Sequence, residues 1–358
     1  SVGMFKIQPN SALSLFLIIT GSITIIAAVM MALVQHNLKK LLSYHAVSQV
    51  GYMVLGIGTA NPIGIAGGLF HMLNHAIYKS CLFLSGGNVE QQTGTNDLSK
   101  MGGLARPMPF TFIAFLIASF SISGIPPLNG FVSKWMVYQG IIEMGKTGVK
   151  LWPLWLAVAM FGSALTLASF MKLIHAIFLG QPSGKKESKT KEAPFLMNIS
   201  PLILAALCIV FGVFALQIPV RLFIAPSVAQ PLGFIGVWNS SQATLLIFVG
   251  FVIGFIIYLL GSRKAREVNQ FVGGETLSLH PDMKPSGTEF YNTVKEIGIL
   301  KFMYQKAEDK WFDIYEQGKK FTFSISAIFQ YLHNGILSTY TVWYLLGMIG
   351  LFYYIFFK

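Results

Sequence analysis

Between residues 11 and 35 the chain carries no charged side chain over 25 consecutive positions. About 20 apolar residues cross the hydrocarbon of a bilayer as an α-helix. Such a stretch is at home only inside a large core or in lipid. Composition chooses between them. Hydrophobic residues make up 54% of the 358 positions and charged residues 11%, where soluble domains carry about 25% charged. A globule this poor in charge could not cover its surface, so a water-soluble enzyme and a disordered chain are both excluded. Further bilayer-length stretches occur at 43–60, 64–87, 108–143, 151–180, 199–221, 242–261 and 339–357. The fold class this predicts is all-α, a polytopic transmembrane helix bundle.

The net charge of +12 takes its meaning from that class. On a soluble protein it would point to nucleic acid; here it reflects basic loops on the cytoplasmic side, and no nucleic-acid partner is expected. With the start of the chain placed outside, Lys39, Lys40, Lys100, Arg106, Lys185, Lys186, Lys189, Lys191, Arg263, Lys264 and Arg266 fall inside, eleven in all, against five outside (Lys6, Lys146, Lys150, Arg221 and Lys358). The bias predicts eight spans with both ends outside, and with 181–198 and 262–338 in the cytoplasm. Residues 1–180 read as one five-helix unit, 181–261 as a flexible polar connection and two further spans, and 339–358 as a last transmembrane helix. The stretch 222–241, with Pro226 and Pro231, reads as an interfacial loop. Within 289–316, Phe290, Val294, Ile297, Leu300, Tyr304, Ala307, Trp311 and Tyr315 recur every three or four residues opposite a charged face. That period makes an amphipathic helix within the segment 262–338, lying along the inner surface or across neighbouring subunits, or else belonging to a small soluble domain.

The span 108–143 is too long for one upright helix and contains Gly124-Ile125-Pro126-Pro127-Leu128-Asn129-Gly130. Two consecutive prolines remove two backbone donors and crowd the preceding turn. The expected result is a discontinuous helix broken at 126–127, which at membrane depth must line protein or a watery cavity.

Ionisable residues inside spans are costly and ask for a reason. His71, His75 and Lys79 stand at i, i+4 and i+8, so they share one helix face within about 80°. Imidazole both donates and accepts a proton, and a lysine in a low-dielectric site can give its proton up. The row is therefore either a proton wire or a set of packing hydrogen bonds with a lysine that reaches for the interface. Lys134 stands seven residues beyond the double proline, where either unwound carbonyls meet its ammonium or it reaches for the outer headgroups. Glu143 is the sole acid between 98 and 186; it serves as an exit-side proton acceptor or as an ordinary interfacial carboxylate. Lys172 and His175 near the end of the fifth span either snorkel or continue a polar row. Lys39 and Lys40 either set topology or mark the mouth of a pathway. Cys81 and Cys208 make no metal spacing, the two histidines have no third ligand, and no flavin, haem, iron–sulfur or nucleotide motif occurs. No metal, cofactor or catalytic residue is assigned.

Three ordered blocks carry a resemblance. One is His71-x-x-x-His75-Ala-x-x-Lys79-x-x-Leu-Phe-Leu followed by Ser-Gly-Gly. Another joins Asn37-Leu-Lys39-Lys40-Leu-Leu-Ser-Tyr to Ser48-Gln49-Val-Gly-Tyr52. The third is Ser123-Gly-Ile-Pro126-Pro127-Leu-Asn-Gly-Phe-Val-Ser-Lys134. Together, over roughly 36–135, they resemble the antiporter-like subunits of respiratory complex I, multisubunit cation/proton antiporters and membrane-bound hydrogenases of the formate hydrogenlyase kind. Residues 312–340 look most like tails of the hydrogenase branch.

The resemblance implies a fold of two inverted five-helix repeats, each with a broken helix, and protons moving along a central polar axis. It implies that Lys79 is the central-axis lysine of the second repeat with His71 and His75 beside it, that Lys134 belongs to the exit side, and that Lys39 precedes the tenth helix. A first repeat is missing, so the chain is expected to be the C-terminal portion of a larger subunit, or one part of a split one. Expected partners are the missing N-terminal half, other membrane subunits of a respiratory or hydrogenase complex, and the lipid of a prokaryotic cell (inner) membrane. The function implied is proton translocation coupled to redox chemistry in other subunits. A Na⁺/H⁺ antiporter subunit is the alternative. It would need a carboxylate-rich cation site near mid-membrane.

Overall fold

The computed structural model describes residues 7–180, 190–228, 231–234, 240–260 and 298–357. Most of the 181–198 connection, and the part of the 262–338 segment before 298, lie outside the described residues. Two compact units, Ser1–Gln305 and Lys306–Lys358, are taken separately.

The first unit is helical throughout its described elements. Helix α1 (Ala12–Leu33) opens on Ser11, whose side chain accepts the Ser14 N–H. Helix α2 (Leu38–Gly58) opens on Asn37, which accepts the Lys40 N–H. Helix α3 (Pro62–Thr93) opens on Asn61 with proline at its first position, and it closes on Gly94 in the left-handed region (φ 74°). These are strong cap residues that satisfy the end donors of each helix. α1 and α2 cross closely: a Cβ added at Gly21 would stand 2.7 Å from the Leu55 nitrogen, so only glycine fits there.

The fourth span divides into α4 (Pro109–Ser123) and α5 (Asn129–Lys146). Gly124 ends α4 at φ 82°, a conformation that costs other residues about 1 kcal/mol or more. At 1.5 Å per residue α4 is about 22 Å long, short of the ~30 Å of hydrocarbon, so it cannot cross alone. Helix α6 (Trp152–Ile174) continues into a π-helical turn, His175–Leu179. Helix α7 (Phe195–Val213) begins four residues before the expected 199, directly after Pro194. Beyond it, π-helix persists over Leu216–Ile224 with Pro219 inside, then a 3-10 turn to Ser227. The expected loop from 222 therefore starts later, because Pro226 falls in the first turn of the 3-10 segment, where its missing N–H is no loss. Helix α8 (Ser240–Leu260) carries no charged residue.

Three apolar clusters hold the bundle together. One joins α2, α3, α4, α6 and α7 around Tyr78, Phe115 and Phe170; the second joins α3 and α5 to the π-helix after α7; the third joins α1, α2, α5 and α6 around Ile25 and Tyr52. Near the start of α4, Glu192 accepts the backbone N–H of Phe110 (2.8 Å) and the hydroxyl of Thr111 (2.6 Å). A carboxylate at a helix N-terminus meets orphan donors and the positive end of the macrodipole. We expect Glu192→Ala to lower stability by about 1 kcal/mol, read as a lower thermal unfolding midpoint in detergent. An unchanged midpoint would show that this cap is redundant.

Among the described residues, four helices are long and apolar enough to cross a membrane by composition alone: Ala12–Leu33, Trp152–Leu179, Phe195–Val213 and Leu337–Phe357. α2, α3 and α5 fall below that standard because they carry the polar side chains described next.

Helix α9 (Gly298–Glu308) ends before Lys310, which has φ 58°. The single helix expected across 289–316 is thus interrupted, and Asp313 starts a new one by accepting the Tyr315 and Glu316 N–H groups. In the second unit this is α10 (Ile314–Leu332), followed by α11 (Leu337–Phe357). α11 has 21 residues, about 31 Å and one bilayer thickness.

Candidate functional site

Chain direction alternates, so the ends of α1, α3 and α6 and the starts of α2, α4 and α7 lie at one end of the bundle, the Lys39 end. The ends of α2 and α5 and the starts of α3 and α6 lie at the other, the Glu143 end. Between them α2, α3 and α5 enclose a buried polar row.

The helix break creates its most specific contact. The carbonyl of Ile122 would bond the N–H of residue 126 in a continuous helix, but that residue is proline and has none. The orphan carbonyl instead accepts from Lys134 Nζ at 2.8 Å, and Lys134 is 2% exposed. The same ammonium lies 4.7 Å from the centroid of the Tyr52 ring. Lys79, 5% exposed, donates to the Leu42 carbonyl of α2 and lies 5.4 Å from the Phe83 ring centroid. Among the described residues neither ammonium has a carboxylate partner; the carboxylates there stand at helix ends.

His71 links the three helices. Its Nδ1 lies 2.9 Å from Ser133 Oγ on α5, and its Nε2 lies 3.1 Å from Gln49 Oε1 on α2 and 3.3 Å from the Tyr78 hydroxyl. Since Gln49 Oε1 only accepts, Nε2 carries the hydrogen and Nδ1 accepts from Ser133. Ser133 has a second acceptor in the Gly130 carbonyl at 3.1 Å. It can turn to that carbonyl when Nδ1 takes a proton, so protonating His71 strands no buried hydroxyl. His45 of α2 meets Ser169 Oγ at 2.8 Å and is within electrostatic reach of both Lys79 and Lys134. His75 is half-buried and packs edge-on against Tyr78 at 5.7 Å; among the described residues its buried Nε2 has no hydrogen-bond partner.

Two amides tie the break to α3. Asn74 Nδ2 donates to the Asn129 carbonyl and Asn129 Nδ2 to Asn74 Oδ1, both at 2.9 Å, and Ser121 Oγ donates to Asn129 Oδ1. Pro126 and Pro127 sit in the non-helical stretch between. Gly212 of α7 packs on this stretch, where a Cβ would collide with the Pro127 carbonyl.

The remaining sequence-predicted residues lie outside this row. Lys172 donates to the carbonyls of Leu33 (3.0 Å) and Gln35 (3.4 Å), so it caps α1, as a cation at a helix C-terminus should. His175 begins the π-helical turn, half-buried. Glu143 pairs with Lys146 at 3.0 Å, one turn on. Lys39 pairs with Glu90 at 2.6 Å, and Asn96 also donates to Glu90. That ammonium and amide hold the Glu90 carboxyl below the usual carboxylate range. Tyr52, Asn74, Asn129 and Ser133 are the row's additions, while His45 and Gln49 bond inward as the polar positions of the second span suggest. Asn74 is one turn from His71, a spacing that places it on the same face.

Fold and row together define an antiporter-like membrane module. A family model described as "NADH:quinone oxidoreductase/Mrp antiporter, TM" matches residues 2–166, and that part of the chain is similar to this antiporter-like family. The chain is 36% identical over 214 residues to formate hydrogenlyase subunit 3 of Escherichia coli, covering 56% of the chain and 35% of that protein. It is 37% identical over 210 residues to a Na(+)/H(+) antiporter subunit of Alkalihalophilus pseudofirmus, covering 58% of the chain and 41% of that protein. A solved structure of the membrane-bound sulfane sulfur reductase, an archaeal respiratory membrane complex, contains a chain that superposes with TM-score 0.70 at 27% identity, over 95% of this chain and 56% of that one. The chain thus spans 31% to 41% of the length of the curated relatives it matches.

Proposed function

We propose that this chain carries a proton-translocating membrane module of an energy-converting oxidoreductase complex. Protons move along a buried axis of Lys79, His45, His71 and Lys134, and the redox chemistry takes place in other subunits. The observation that carries the reading is the pair of buried ammonium groups, each held by a backbone carbonyl and an aromatic face instead of an acid. A buried amine of that kind binds a proton weakly enough to release it when a neighbouring positive charge arrives. Repulsion between Lys79 and Lys134 across His45 and His71 is the coupling force. Kinship with a formate hydrogenlyase subunit and a respiratory reductase complex supports redox partners. Other membrane subunits of such a complex are the partners we assign. The excess of Lys and Arg near the Lys39 end supports placing that end in the cytoplasm, with the module in a cell membrane.

Lys79→Ala in the full-length subunit, assembled in its complex and reconstituted in vesicles, is expected to slow redox-driven proton uptake by at least roughly tenfold. Wild-type uptake in a normally assembled variant would remove Lys79 from the path. Na⁺ exchanged for H⁺ by the purified subunit alone would instead favour the antiporter reading, which the Alkalihalophilus relative supports.

A further inference from the structure

The Ser48-Gln49-Val-Gly-Tyr52 block contributes more to the row than Gln49. Tyr52 is fully buried, and its ring face carries the Lys134 ammonium at 4.7 Å from the centroid. Its hydroxyl lies 2.6 Å from the Ala159 carbonyl and 2.9 Å from Ser163 Oγ, both on α6, and Ser163 Oγ lies 2.6 Å from the Tyr138 hydroxyl on α5. A carbonyl can only accept, which fixes the order of donors: Tyr138 donates to Ser163, Ser163 to Tyr52, and Tyr52 to Ala159. The phenol is therefore tethered at its tip, and its ring cannot tilt off Lys134 without breaking one buried and one half-buried hydrogen bond. Among the described residues, His71 of α3 and His45 of α2 are titratable side chains within electrostatic reach of Lys134, and Tyr138 stands one turn on along its own helix. With no acid among them, the ring's negative face is the main side-chain group that favours the ammonium.

We infer that Tyr52 is a positioning residue for Lys134: its π face, clamped to α6 through Ala159 and Ser163, stabilises the ammonium at the helix break and sets how readily that group holds a proton. The inference rests on the proposed proton-translocating role. It makes α6 a lever on Lys134, since any movement of Ala159 or Ser163 tilts the ring.

The test is a series at position 52 in the full-length subunit, assembled in its complex and assayed for redox-driven proton uptake into vesicles. Tyr52→Phe keeps the π face and releases the tether, and it is expected to stay within about threefold of wild type. Tyr52→Leu removes the face and is expected to fall roughly tenfold, the scale of a desolvated cation–π contact. Phenylalanines carrying one, two and three ring fluorines keep the shape while draining the π face, and uptake should fall stepwise with each fluorine. This fluorinated series decides the matter if the leucine variant fails to assemble. Equal rates for all the fluorinated rings and Tyr52→Phe would overturn the assignment. Lys134→Ala is the reference: if it abolishes uptake while fluorination has no effect, Tyr52 alone is misassigned, whereas wild-type uptake by Lys134→Ala defeats the proton path itself.

Discussion

Lys134→Ala should reduce redox-driven proton uptake by the assembled complex by at least roughly a hundredfold, the lower end of the range for removing one proton-transfer group. The size of the effect follows from how the site is built. Pro126 has no N–H, so the Ile122 carbonyl is left without a helical donor, and Lys134 supplies one at 2.8 Å. Alanine removes the titrating amine and also leaves that carbonyl unpaired, at a cost of about 1–3 kcal/mol. A loss of uptake could then come from a disturbed break and not from a lost proton carrier. Lys134→Arg separates the two. Guanidinium still donates to Ile122 but stays protonated in proteins, so it should preserve assembly and thermal stability while uptake remains near the alanine level. A dye reporting vesicle pH gives uptake, and unfolding in detergent gives stability. If the arginine variant translocates like wild type, release of a proton from position 134 is not a step in transport, and Lys134 is a structural strut of the break.

How much of this is readable from the chain alone differs residue by residue. The break and its lysine are, because a double proline has few consequences in a helix and a lysine seven residues on has few places to go. The shared face of His71 and Lys79 is readable too, since 3.6-residue periodicity is a local property. What periodicity cannot give is which helix the face meets. Lys172 and Leu33 are 139 residues apart, and nothing in the sequence near either says that one caps the other's helix. The same limit hides Asn74 and Asn129, 55 residues apart, which read singly as ordinary polar residues and matter only as a reciprocal pair. Tyr52 stands in one of the three sequence blocks without a role of its own there, because an aromatic in a span is by default core. Its use depends on Lys134 from α5 and Ser163 from α6 arriving at opposite ends of one ring system. Helix ends are legible where a cap residue acts, as at Asn61 and Gly94. They are less so where backbone geometry bends the rule, as at Pro219 inside a π-helical turn.

His71→Leu is expected to lower apparent stability by about 2–6 kcal/mol, the sum of two buried groups losing their partner at roughly 1–3 kcal/mol each. Those groups are Gln49 Oε1 and the Tyr78 hydroxyl. Ser133 is spared, because the Gly130 carbonyl is already within 3.1 Å of its hydroxyl. The physical origin gives the prediction a second part. An orphaned acceptor costs more than an absent one, so Gln49→Leu in the His71→Leu background should restore part of the loss, although it is a further deletion of polar contact. Unfolding midpoints of the two single variants and the double variant complete the cycle. A double variant weaker than the sum of the singles would mean that the three helices are held by something other than this imidazole. Transport adds a second contrast: the stabilised double variant still lacks the imidazole of the proposed axis between Lys79 and Lys134, so proton uptake should not return with stability. Recovery of uptake together with stability would reduce His71 to a packing residue and leave Lys79 and Lys134 to exchange protons by another route.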